Sequence, residues 1–72
     1  MGSEICTLLG QRIREIRKKK GWRQIDLAEH SGVHEVHISD LERGAREAGV
    51  RTIAAIANAL GVKLSELFKG ID

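Results

Sequence analysis

The stretch Gln24-Ile25-Asp26-Leu27-Ala28-Glu29-His30-Ser31-Gly32-Val33-His34-Glu35-Val36-His37-Ile38-Ser39-Asp40-Leu41-Glu42-Arg43-Gly44 decides the fold. A small residue at Ala28 lets a following helix cross closely. The glycine four positions later, Gly32, admits a left-handed backbone and a sharp turn. Val33 and Ile38 then fill the angle between two helices. The segment reads as a short helix from Gln24 to His30, a break at Ser31-Gly32, and a second helix from His34 to Arg43 that Gly44 stops. Two helices joined this tightly, with the second facing solvent, make a helix-turn-helix. The competing reading of the spacing is an ordinary corner between two helices.

Outward from this segment, glycine does the punctuation, because the chain has no proline. Ile5, Leu9, Ile13 and Ile16 recur at helical spacing and mark a first helix ending near Gly21. Ser3 or Thr7 can cap its start. Gly10 reads as a weak spot in it, costing roughly 1 kcal/mol against alanine. A fourth helix runs from Val50 to Leu60, with Ile53, Ile56, Ala57 and Leu60 apolar, and Gly61 closes it. A last short helix lies near Leu64 to Lys69. No segment alternates as a strand would. The expected fold is all-α: five short helices in a single domain over residues 1–72, with its core from about 8 to 68. No helix of this length is stable alone, so all must share one core.

The bulk properties bound the function. A chain of 72 residues, 42% of them hydrophobic, has room for one modest core and little for a substrate cavity. The single cysteine, Cys6, cannot form an internal disulfide, which suits a reducing cytoplasm. It reads as an inert or exposed thiol. No run is long and apolar enough to cross a membrane or act as a signal peptide. The net charge is only +2, but it is unevenly spread. Residues 12–23 carry Arg12, Arg14, Arg17, Lys18, Lys19, Lys20 and Arg23, whereas residues 33–49 hold two basic and four acidic groups.

On a helical wheel through the second helix of the motif, Ile38, Leu41, His34 and Glu42 share the inward face. A carboxylate there needs a partner, since an unpaired buried charge is very costly. Arg17, on the flank of the first helix's apolar stripe, is the expected partner, giving an Arg17–Glu42 ion pair. Val36, Asp40 and Arg43 point outward, Ser39 lies at the side, and Glu35 projects past the first turn. Such a face can read base edges if the helix enters a major groove.

The run from Gly10 to Gly44, continued by Ile53-Ala54-Ala55-Ile56-Ala57-Asn58-Ala59-Leu60-Gly61-Val62 and Glu66-Leu67-Phe68, resembles the λ-repressor-like helix-turn-helix domain, the xenobiotic-response-element family. The resemblance covers about residues 8 to 68. It implies sequence-specific binding of double-stranded DNA, usually as a homodimer on a palindromic operator, with helix 34–43 in the major groove. It carries Glu35, Val36, Ser39 and Asp40 over as base-facing positions. It carries Gln24, Arg43 and the loop after Gly44, including Arg46, over as phosphate-backbone contacts, and it supports the Arg17–Glu42 pair. The length is similar to that of stand-alone controllers of restriction–modification systems, without a small-molecule ligand domain. A repressor or autoregulator in the cytoplasm is the expected role.

The chain departs from that pattern in three places. Arg23 replaces the usual Ser or Thr cap, losing about 1 kcal/mol of capping while adding a cation. Ala48 or Gly49 stands where many relatives have proline. Glu35 and Asp40 place carboxylates on the outward face, where they repel phosphate but can accept from cytosine amino groups, while Val36 can meet a thymine methyl. Affinity is therefore expected from flanking groups (Arg12, Lys18, Lys19, Lys20, Arg23, Gln24, Arg43 and Arg46) and discrimination from helix 34–43. His34 is expected to cap that helix and to lie among the DNA backbone contacts, and His37 either to pack at its edge or to donate to a phosphate.

Other chemistries find no support. His34 and His37 are three apart, not the four of a zinc-protease helix, and no second cysteine accompanies Cys6. No metal, cofactor or catalytic constellation is expected, and the chain is not read as an enzyme. The apolar surplus at Leu64, Leu67, Phe68 and Ile71 is the expected dimer interface, with Leu67 and Phe68 also able to complete the core. The rival functional reading is a protein-binding helix-turn-helix, such as an antitoxin or adaptor, whose acidic helix meets a protein.

Overall fold

The computed structural model describes residues 4–71. They form α1 (Glu4–Lys19), α2 (Gln24–Ser31), α3 (Glu35–Glu42), α4 (Val50–Leu60) and α5 (Leu64–Leu67), and no strand occurs among them. Ser3, one of the two expected caps of α1, lies outside the described residues, and Thr7, the other, is inside the helix. The last helix is shorter than expected: four residues of α5 give way to a turn through Gly70.

One side chain from each helix meets at the centre. Ile13, Leu27, Ile38, Ile56 and Leu67 are all essentially inaccessible to solvent, with Leu9, Leu41, Ala57 and Leu60 around them. α3 packs across α1 and α2, and α2 also packs on α4. The apolar stripe of α1 is buried only in part. Leu9 and Ile13 are inside, Ile16 is half-buried and Ile5 is 50% exposed, because α3 crosses α1 towards its middle and C-terminal half.

Gly10 has a different meaning from the one its position suggests. It is buried, and a Cβ built there would overlap the carbonyl oxygens of Leu41 and Glu42. The residue marks where the backbone of α1 touches the end of α3, so the loss of helix propensity is the condition of that contact rather than a defect. Gly44 is constrained in the same way. Its φ is +71°, and a Cβ would stand 2.9 Å from the Cα of Thr7.

Candidate nucleic-acid interface

The turn between α2 and α3 is built from backbone and small polar groups. Gly32 takes φ +75°, and its N–H donates to the Ala28 carbonyl at 2.9 Å. Ser31 Oγ accepts from the Val33 N–H at 3.1 Å. His34 precedes α3 and caps it, its Nδ1 accepting from the Val36 N–H at 3.1 Å. That bond requires a bare Nδ1 and so leaves any proton on Nε2. The wheel had His34 facing inward. It is exposed, because a residue before the first helical turn does not follow the helix's rotation.

The outer side of α3 is open at its start. Glu35 is exposed and Val36 is 61% exposed, while Ser39 and Asp40 are half-buried. The expectation for His37 as a phosphate donor needs correction: its Nε2 is sealed from solvent and meets no hydrogen-bond partner, so this nitrogen faces protein. Asp40 also differs from a free base-reading carboxylate. It accepts a hydrogen bond from the Arg43 guanidinium, and Arg46 Nε lies 3.9 Å from its other oxygen.

The inner side of α3 is closed by charge. Arg17 donates to Glu42 through Nε at 2.7 Å and Nη2 at 2.9 Å, a bidentate pair whose side chains are 8% and 4% exposed. The remaining Nη1 donates to the Trp22 carbonyl at 2.7 Å. The hydrogen bond with Glu42 raises the Arg17 pKa further above its ordinary value, and burial works against it. Gln24 Nε2 donates to Glu42 Oε1 at 3.1 Å. This network locks the end of α1, the start of α2 and the end of α3 together. It also engages the Gln24 side-chain amide, leaving the backbone at the head of α2 as the freer donor.

The basic run divides by what each group already does. Lys18 and Lys19 are exposed. Lys20 holds its ammonium 4.7 Å above the Trp22 ring, which stacks on His30 at 4.3 Å. Arg12, expected among the phosphate contacts, is taken up within the fold. It donates to the carbonyls of Glu66 at 2.9 Å and Lys69 at 2.8 Å, closing the last turn after α5. Arg23 does not leave α2 uncapped. Asp26 accepts from the Arg23 N–H at 2.8 Å and from its guanidinium at 3.2 Å. The guanidinium bond, then the backbone bond, holds the Asp26 pKa below the ordinary carboxylate value. The sequence signal for this was present: an acid three residues after the cap is half of a capping box.

At the C-terminal side, Leu67 is 0% exposed, so its place in an interface between copies is corrected to one in the protomer's own core. Phe68 and Ile71 are half-buried against that core, and Leu64 is 42% exposed. Val50, at the head of α4, is 79% exposed. Cys6 is half-buried beside a groove of about 300 Å³ lined also by Leu9, Ile53 and Phe68. Among the described residues, no three or more His, Cys, Asp or Glu gather as a metal site, and no helix is long and apolar enough to cross a membrane.

Comparison with known proteins assigns this architecture. The helix-turn-helix family model matches residues 13–67. The control protein C.BamHI of Bacillus amyloliquefaciens is 40% identical over 68 residues, covering 93% of this chain and 84% of that one. The restriction–modification controller protein C.AhdI of Aeromonas hydrophila superposes with a TM-score of 0.85 at 38% identity, over 88% of this chain and 96% of that one. Another restriction–modification controller, solved as a tetramer in complex with its natural 35 base-pair operator, gives a TM-score of 0.86 at 30% identity, over 93% and 88% of the two chains. With its turn at Gly32, its exposed second motif helix and this match over most of its length, the chain belongs to the helix-turn-helix family and is similar to the controller proteins of restriction–modification systems.

Proposed function

We propose that the chain acts as one helix-turn-helix domain in the cytoplasm, a sequence-specific transcriptional regulator that pairs as a homodimer on a palindromic operator. The observation that carries this reading is the contrast across α3. Its inner face is pinned by Ile38, Leu41 and the buried Arg17–Glu42 pair, while Glu35 and Val36 stand free on the outside. A B-DNA major groove admits a helix of this kind. Glu35 and Val36, with Ser39 at the side, would meet base edges. Lys18, Lys19, Arg23, Arg43, Arg46 and the exposed edge of His34 are available to phosphates, with the backbone around Gln24. Leu64, with the open edges of Phe68 and Ile71, would supply the apolar surface for a second copy. Two-fold pairing would set two such helices one turn of DNA apart. The operator-bound tetramer of the related controller supports duplex DNA as the partner.

The test is selection of duplexes from a random pool, followed by a salt titration of the selected duplex. A symmetric selected sequence is expected, with log affinity falling against log salt by about 0.9 per phosphate neutralised. A protein-binding role has one observation in its favour. Glu29 and Glu35 rim an apolar surface cleft of about 410 Å³ that includes Ile25, Ala28 and Val33. Failure to bind any duplex at 50 mM salt would turn the assignment to that role.

A further inference from the structure

Resting on the DNA-reading role above, we propose that Asp40 is a positioning residue and not a base reader: it presets the guanidiniums of Arg43 and Arg46 as a phosphate clamp just beyond α3. Both of its carboxylate oxygens are already faced by cations, Oδ1 by Arg43 Nη2 and Oδ2 by Arg46 Nε. Its side chain is 21% exposed, while those of Arg43 and Arg46 are 66% and 54% exposed, so the arginines and not the acid meet an approaching ligand. The main chain of Asp40 does the same work. Its carbonyl accepts from the Ala45 N–H at 2.9 Å, and the left-handed Gly44 between them turns the chain back so that Arg46 returns towards the helix end.

Helix stability does not explain the residue. Asp40 sits in the last turn of α3, where the helix dipole disfavours a carboxylate. Nor does a bare acid near phosphates favour binding. Covered by two guanidiniums, the three side chains together present one net positive charge. An arginine already held in its binding geometry loses less freedom when it meets a phosphate.

The experiment uses the whole chain, the duplex selected above and an unrelated duplex. Asp40→Ala is expected to lower affinity for the selected duplex about tenfold, the factor for ordering two free arginines on binding. Affinity for the unrelated duplex falls by a similar factor, because a phosphate clamp makes the same contacts on any duplex. Asp40→Glu recovers part of the loss. In an Arg43→Ala/Arg46→Ala background the same Asp40→Ala change alters binding by less than about twofold, since coupled residues do not add. Repeating the selection with Asp40→Ala returns the same base sequence. A changed base at one position, or the full tenfold loss without the arginines, overturns the proposal. A second readout needs no DNA. In the free protein, the Nη–H resonances of Arg43 and the Nε–H resonance of Arg46 are expected to be resolved and to average out in Asp40→Ala. Identical resonances in both proteins overturn the preset clamp even if no duplex is ever selected, whereas resolved resonances without duplex binding would sink only the DNA-reading role.

Discussion

Helix α3 carries an arginine–carboxylate pair on each of two faces, and the two do different work. Arg17–Glu42 lies inside, bidentate, with its spare donors and acceptors engaged by the Trp22 carbonyl and the Gln24 amide. Asp40–Arg43 lies outside and is mostly solvated on the arginine side. The same two chemical groups thus give a sealed joint where water is excluded and a solvent-facing edge where it is not. Buried charges cannot be left without a partner, whereas exposed pairs contribute little to stability and remain open to exchange partners.

The comparison breaks most readily at its buried end. Glu42→Ala strands the Arg17 guanidinium among core groups and should destabilise the fold by about 3–5 kcal/mol, read by denaturant unfolding. An unchanged midpoint would show that the pair is dispensable and that the two faces are alike. Gly10→Ala probes the same junction from the backbone. Helix propensity alone predicts a gain near 1 kcal/mol. The overlap with the Leu41 and Glu42 carbonyls predicts instead a net loss of about 1–3 kcal/mol, and a raised melting temperature would show that α1 and α3 are not in close contact.

The smallest effect sharpens the exposed side, at the other surface pair, Arg23–Asp26. Because the folded-state pKa of Asp26 is held below its ordinary 3.8, its contribution is present above that value and is lost as pH falls through the lower, folded value. Wild type should therefore lose stability relative to Asp26→Asn only when acidified below about pH 4, with parallel curves above it. A difference that persists unchanged through that range would assign the cap to something other than the ionised carboxylate.

Much of the fold was legible in the residues. Gly32 and Gly61 end α2 and α4 where their left-handed backbone is needed, and α4 runs over the expected Val50–Leu60. Spacing alone placed Ile13, Ile38 and Ile56 inside. The candidate site was less legible. Arg12 and Arg43 are both basic residues expected to meet phosphate, yet one is consumed by carbonyls in and just after α5, more than fifty residues away in sequence, and the other is exposed. Leu64 and Leu67 share an apolar run, yet only Leu67 is sealed in the core.

The sequence by itself determined the order of the helices, their stops and which face of each is apolar. These depend on periodicity and on conformational preferences that act over a few residues. Only the tertiary structure decided which charges are spent. Whether Gln24 reaches Glu42, whether Asp40 meets bases or arginines, and whether Gly10 is a weakness or a contact all depend on groups far apart in the chain. Their distances are set by how the five helices settle around one core, and the energy of a charge or a methyl group there changes with every ångström of approach.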